Sequence, residues 1–156
     1  MLFRSIGDYH ISFADIVQKK GYRTAVAGKW QLPGQLPTLV YDTGFDEYCV
    51  WMNEIPESID YSGGLEKPGK PSRFHYPGVL QNGEQLPTGP DDYGPDVYTD
   101  FIIDFMKNSG DQPFLAYYPM CLTHLPWNPT PDQPDIQNAP APERLKANVE
   151  YMDKMI

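Results

Sequence analysis

The stretch GYRTAVAGKWQL, residues 21–32, runs from a glycine through a compact apolar segment and regains polarity at Lys29, Trp30 and Gln31. An apolar run of this length, closed off by glycine at one end and by charge at the other, fits a strand covered on both faces in a parallel sheet. Upstream, ISFADIVQKK offers Ser12 as an N-cap, Phe13, Ile16 and Val17 on one face, and two lysines in the last turn. Gly21 then stands where a helix-ending C′ residue belongs. Helix, glycine turn and buried strand together make an α/β unit.

The same order recurs downstream. GPDVYTDFIIDFMKNSG, residues 94–110, starts with Pro95 and Asp96 and carries Val97, Phe101, Ile102, Phe105 and Met106 at helical spacing. QPFLAYYPM, residues 112–120, follows as a second buried strand, and both strands are expected at the centre of a sheet. Two central strands leave a sheet short of neighbours, so further strands are expected elsewhere. YDTGFDEYCVWMN, residues 41–53, fits either another strand or an ordered loop. Residues 52–95 read as an irregular Pro/Gly-rich insertion, with a hairpin around Asn82-Gly83. A last helix is expected after Pro142, its pattern running to the chain's end without a C-cap.

The chain is 156 residues long with a formal charge of −9, and it carries no Lys/Arg-rich run, which argues against nucleic acid as a partner. It contains no window of roughly 18 apolar residues for a membrane helix. Its first residues lack the apolar core of a signal peptide, and localisation stays open. Cys49 and Cys121 sit in unlike contexts and read as small buried hydrophobes rather than a disulfide. His10 and His75 have no metal-spaced partners, and Asp42 to Glu47 read as solvated or capping carboxylates. Asp91-Asp92 read the same way, with calcium ligation as the alternative.

In open α/β sheets ligands bind at the C-terminal ends of the strands. Lys29, Trp30 and Gln31 follow the first strand, and CLTHLPWNP, residues 121–129, brings Thr123, His124 and Trp127 after the second. A lysine and a histidine at one edge suit an anion, since both donate charge-assisted hydrogen bonds to its oxygens. The competing reading is ordinary: a lysine where the chain regains solvent, and a histidine that fixes a loop.

The blocks FADIVQKKGYRTAVAGKW, GFDEY, YTDFIIDFMKNSGDQPFLAYYPMCLTHLPWNP and VEYMDKMI resemble, in order, the middle of the sulfatase family. The resemblance covers most of residues 12–156 and weakens between 52 and 92. It implies an alkaline-phosphatase-like fold, a three-layer α/β sandwich with a mostly parallel sheet, here a single partial domain over residues 1–156, truncated at both ends. The implied activity is hydrolysis of sulfate esters by a formylglycine beside a calcium ion. Lys29 matches the lysine that contacts the formylglycine and the sulfate, and His124 the histidine that donates to a sulfate oxygen. Trp30, Gln31, Thr123 and Trp127 are then candidate substrate contacts, and no metal ligand is assigned in this chain.

Two departures stand out. The family's G-K-W-H-L-G has Gln31 in place of its histidine and Pro33 in place of its glycine, and an amide cannot act as a base. Neither cysteine sits in the C/S-x-P/A-x-R motif from which formylglycine is made. The expectation is a catalytically incomplete fragment that takes a sulfate ester or other small anion. The alternatives are a non-catalytic module for sulfated or anionic glycans and a phosphoryl-transfer relative. Family members are often exported or periplasmic. Exposed sheet edges would favour self-association.

Overall fold

A computed structural model describes residues 11–32, 38–52 and 72–156. The chain forms two compact units, Met1–Pro119 and Met120–Ile156. Among the described residues the first unit holds a five-stranded sheet, and each element follows from local chemistry.

Helix α1 (Phe13–Gln18) is only six residues long, too short to stand by itself in water. Its start is held by a reciprocal capping box: the Asp15 amide donates to Ser12 Oγ at 3.0 Å, and the Ser12 amide donates to the Asp15 carboxylate at 2.9 Å. Ser12 Oγ in turn donates to the Thr43 carbonyl at 2.6 Å. Gly21, at φ +86°, follows the helix as expected. The expected apolar face is displaced, because Ala14 is the buried residue while Phe13 and Ile16 are exposed. Six residues cannot carry a broad stripe, so one small side chain makes the close contact and Phe13 lies edge-on against Phe45 and Tyr117 at the rim.

Strand β1 (Arg23–Gly28) is buried from Thr24 onward and runs parallel to β2 (Glu47–Trp51) on one side and to β5 (Phe114–Tyr117) on the other. The stretch 41–53 therefore contains a strand. Its first residues close a five-residue helix, α2 (Thr38–Asp42), that the sequence pattern does not reveal. Beyond β2, strands β3 (Val79–Gln81) and β4 (Glu84–Gln85) form an antiparallel hairpin whose turn is Asn82 and Gly83, both at positive φ. The sheet order is β4-β3-β2-β1-β5.

β5 departs from expectation. It lies at the sheet's edge among the described residues, with Phe114 and Tyr117 exposed, and not at the centre. Apolar composition reports what a strand tolerates on its faces, not its rank in the sheet.

Side chains alternate across the strands, so the two faces can be read directly. Val26, Tyr48, Val50 and Leu80 join Ala14, Leu39, Val40 and Phe45 in one core on the α1/α2 face. The opposite face packs on α3 (Gly94–Ser109), where Phe105 meets Phe114 edge-on and lies beneath the Arg23 guanidinium. Helices on both faces of a sheet with a parallel centre give the three-layer α/β arrangement. Helix α3 buries Tyr98, Ile102, Phe105 and Ser109 and leaves Met106 exposed, a face turned slightly from the one expected.

The second unit carries a single 3₁₀ turn, Ile136–Asn138, and helix α4 (Ala141–Asp153). Contrary to the expected run to the chain's end, α4 closes at Asp153, and the Lys154 amide donates to the Glu150 carbonyl. Asn148, buried on α4, donates through Nδ2 to the Asn128 and Arg144 carbonyls at 2.9 and 3.0 Å, so a helix side chain holds the irregular segment in place.

Candidate functional site

β1 ends at Gly28, whose φ of +99° turns the chain at the sheet's C-terminal edge. A Cβ at this position would lie 2.6 Å from the Pro119 carbonyl oxygen and 3.2 Å from the Tyr118 ring, so both the angle and the close approach call for glycine. The next amide, Lys29 N–H, donates to that same carbonyl at 2.8 Å. Lys29 is thus fixed by a backbone bond to the exit of β5. Its side chain is half-buried, and among the described residues its ammonium has no ion-pair partner.

Helix α3 begins at the same edge. The Tyr118 hydroxyl lies 3.1 Å from the Pro95 carbonyl and 2.9 Å from Thr99 Oγ1, both in the helix's first turns. The α3 start is closed by main chain, the Gly94 amide donating to the Phe74 carbonyl at 2.8 Å and the Asp96 and Val97 amides to the Tyr93 carbonyl at 3.0 and 3.1 Å, and Asp96 stands in its first turn.

Trp30 and Gln31 separate here. Trp30, 7% exposed, belongs to the core and stands edge-on to Phe45 with ring centroids 6.2 Å apart, so as placed it props the strand exit and is not an open surface for a substrate. Gln31 is exposed. Its amide can accept and donate hydrogen bonds but cannot take up a proton as a base does.

The second unit carries the other candidates. Cys121 and Leu122 are buried, and the chain surfaces at Thr123 and His124. The Trp127 indole N–H donates to the Thr123 carbonyl at 3.0 Å, closing the loop around His124. His124 Nδ1 lies 2.6 Å from the Leu125 carbonyl, which can only accept, so that nitrogen carries the proton and Nε2 is the one left for a ligand. Lys29 belongs to the first unit and His124 to the second, and each half has its own local support.

The remaining candidates resolve into structural roles. Asp46 accepts from the Thr24 amide at 2.8 Å and from Gln18 at 2.7 Å, pinning the approach to β2 against β1. Glu47 pairs with Arg23. Asp92 accepts the Gly89 amide at 2.6 Å, a local turn cap. Among the described residues no group of three or more His, Cys, Asp or Glu is placed to hold a metal ion. Cys49 and Cys121 are buried and not joined in a disulfide, and burial pushes the Cys49 thiol up to about 12. Sequence reasoning passed over Gly28, Tyr118, Thr99 and Pro119, although the glycine inside G-K-W was the available signal.

Comparison with known proteins agrees with this architecture. Over 121 residues the chain is 26% identical to an N-acetylglucosamine-6-O-sulfatase of Bacteroides thetaiotaomicron, covering 77% of this chain and 18% of that protein. Over 132 residues it is 30% identical to the uncharacterized sulfatase YdeN of Escherichia coli, covering 76% of this chain and 23% of that one. It therefore spans about a fifth of the length of these curated relatives. Among solved structures, Ps i-CgsB superposes with a TM-score of 0.55 at 19% identity over 91% of this chain and 36% of its own. The sulfatase PsFucS1 of Pseudoalteromonas sp. also gives 0.55, at 15% identity over 98% of this chain and 36% of its own. At such identities these likenesses speak for the fold, an α/β sandwich of the alkaline-phosphatase-like kind. The family model described as Sulfatase matches residues 4–156, and the chain belongs to the sulfatase family.

Proposed function

We propose that this chain supplies part of the sulfate-binding edge of a sulfuric ester hydrolase, with Lys29 of the first unit and His124 of the second each a separate candidate for contacting sulfate oxygens. One observation carries the reading. Lys29, half-buried and without an ion-pair partner among the described residues, leaves the C-terminal edge of parallel strands from a main chain that its own amide ties to the exit of β5. Charge building on sulfate oxygens in a transition state is stabilised best by donors that are already in place. Sulfated saccharides are the substrate class we favour, since a neighbouring structure, Ps i-CgsB, is a complex with k-i-k-neocarrahexaose and one relative is named for N-acetylglucosamine-6-O-sulfate. The formylglycine and calcium of the family are assigned to residues other than those described here, and the chain alone is expected to be inactive.

Calorimetric titration with inorganic sulfate tests the reading. Lys29→Ala should weaken binding at least about tenfold, the loss expected for one charge-assisted contact. Equal affinity for the variant and the original protein would overturn it. Turnover of an aryl sulfate by this chain alone, abolished by Lys29→Ala, would overturn the expectation of inactivity. Gln31 favours a second reading, a module that binds sulfated or anionic glycans without cleaving them, because an exposed amide stands where the family has a histidine. Tight saccharide binding with no cleavage in a longer form containing the whole domain would select it.

A further inference from the structure

We infer that Tyr118 is a positioning residue for Lys29, acting through the exit of β5. The inference rests on the proposed anion-binding role of Lys29. Lys29 follows the Pro119 carbonyl, because its amide donates there at 2.8 Å and Gly28 leaves no room for the two chains to part and re-pack with a side chain between them. The place of that carbonyl is set in turn by the residue just before it. The Tyr118 hydroxyl reaches across to the first turns of α3, 3.1 Å from the Pro95 carbonyl and 2.9 Å from Thr99 Oγ1, while Thr99 Oγ1 lies 2.8 Å from the same carbonyl. Three elements thus meet at one point: the ends of β1 and β5 and the start of α3.

The proton count at this junction makes the inference testable. Two hydroxyls bring two protons to these three contacts, so at most two of the contacts are hydrogen bonds at any moment. Removing the tyrosine hydroxyl leaves Thr99 Oγ1 donating to the Pro95 carbonyl, so that acceptor keeps a donor. Tyr118→Phe should therefore spare the fold while releasing the β5 exit from the helix. Thr99→Val is different, because the Tyr118 hydroxyl still donates to the Pro95 carbonyl and the hook survives.

Two measurements on the full chain decide the matter. Inorganic sulfate affinity should fall about three- to tenfold in Tyr118→Phe, the loss of one hydrogen bond's worth of positioning, with the fold kept and the thermal midpoint lowered by no more than about 5 °C, and stay within twofold in Thr99→Val. Hydrogen exchange at the Lys29 amide, which needs no ligand, should quicken at least about fivefold in Tyr118→Phe relative to the Ala25 to Ala27 amides, and should not change in Thr99→Val. Unaltered Lys29 exchange in Tyr118→Phe overturns the inference whether or not sulfate binds. Equal effects of the two substitutions also overturn it, since packing at the helix start and not the hydroxyl hook would then be responsible. A sulfate affinity insensitive to Lys29→Ala, with the exchange prediction intact, sinks the anion reading and leaves the mechanical link standing.

Discussion

Lys29 and His124 are both basic candidates placed just beyond a parallel strand, yet the molecule supports them in opposite ways. Lys29 is fixed through its main chain: a left-handed glycine, a backbone bond to the neighbouring strand and a core tryptophan one residue later. His124 is exposed and oriented by its own neighbours, the Leu125 carbonyl at its ring and the Trp127 to Thr123 bond that closes its loop. The first arrangement spends core packing on precision. The second uses short local bonds, which fix a tautomer and a loop shape without tying the segment into a sheet. The lesson is that similar residue types after similar strands need not be equally preorganised, and the contrast can be attacked at several points.

The sharpest attack is on the glycine. Gly28→Ala combines a disfavoured backbone angle with a clash against the Pro119 carbonyl and should cost about 2–4 kcal/mol in denaturant unfolding. Gly21→Ala, at φ +86° with open space around it, should cost only about 1 kcal/mol. Equal costs would mean that the β1 exit is not held as tightly as its geometry indicates.

The corresponding anchor of the second unit is Asn148. Asn148→Ala removes both Nδ2 bonds and leaves the Asn128 carbonyl without that donor, for a loss of about 1–3 kcal/mol read from hydrogen exchange in α4. Loosening there, with β1 exchange untouched, would confirm that the two supports are independent. Simultaneous loosening of β1 would break the comparison.

Alkaline pH probes the first unit's core. Burial raises the Cys49 thiol from 9.0 to about 12 and, as the leading cause, the Tyr48 phenol from 10.0 to about 12. The folded state thus prefers both groups protonated. Their contribution is fully present below the unfolded-state values and is lost as pH rises from about 9 toward 12. Stability should hold up to about pH 9 and drop by roughly 1 kcal/mol by pH 10. In Cys49→Ala the decline should begin near pH 10 instead, since Tyr48 is then the next to titrate. A flat profile in the original protein would show that the thiol is not sealed off.

The smallest expected effect lies at the exposed pair of Lys154 with Asp132, 2.8 Å apart. Lys154→Ala should leave the midpoint of thermal unfolding where it is, because exposed ion pairs exchange one solvated arrangement for another.

Much of this was legible in the sequence for identifiable reasons. Ser12 with Asp15 writes a capping box, Asn82-Gly83 writes a hairpin turn, and the Pro95 to Gly110 interval has the length and period of a helix. The rest was hidden by physics that acts at a distance. α2 is five residues long and too short to show a period. β5 reads as central because its residues are apolar, but which strands flank it is a question of topology. Trp30 looks like a site residue by position after the strand, and only the turn at Gly28 reveals that it folds onto Phe45. The site's supports, Tyr118 and Thr99, are far from Lys29 in the chain and had no local pattern to announce them.

The pairing of β1 with β5 has a consequence in time. The Gln112 side chain reaches the Gly21 carbonyl at 3.0 Å across 91 residues of sequence, and the strand pairing beside it spans a similar interval. At a synthesis rate of roughly 5–20 residues per second, β1 and β2 leave the ribosome on the order of 5–20 s before β5 can join them. Closing so long a loop carries its entropy cost before any contact rewards it. Lys29 should therefore be among the last groups to reach its final place. Pulse-labelled exchange in which β5 gains protection no later than β2 would contradict that order. A nascent chain on this schedule has its β1–β2 pairing first and its β1–β5 edge, with Lys29, last.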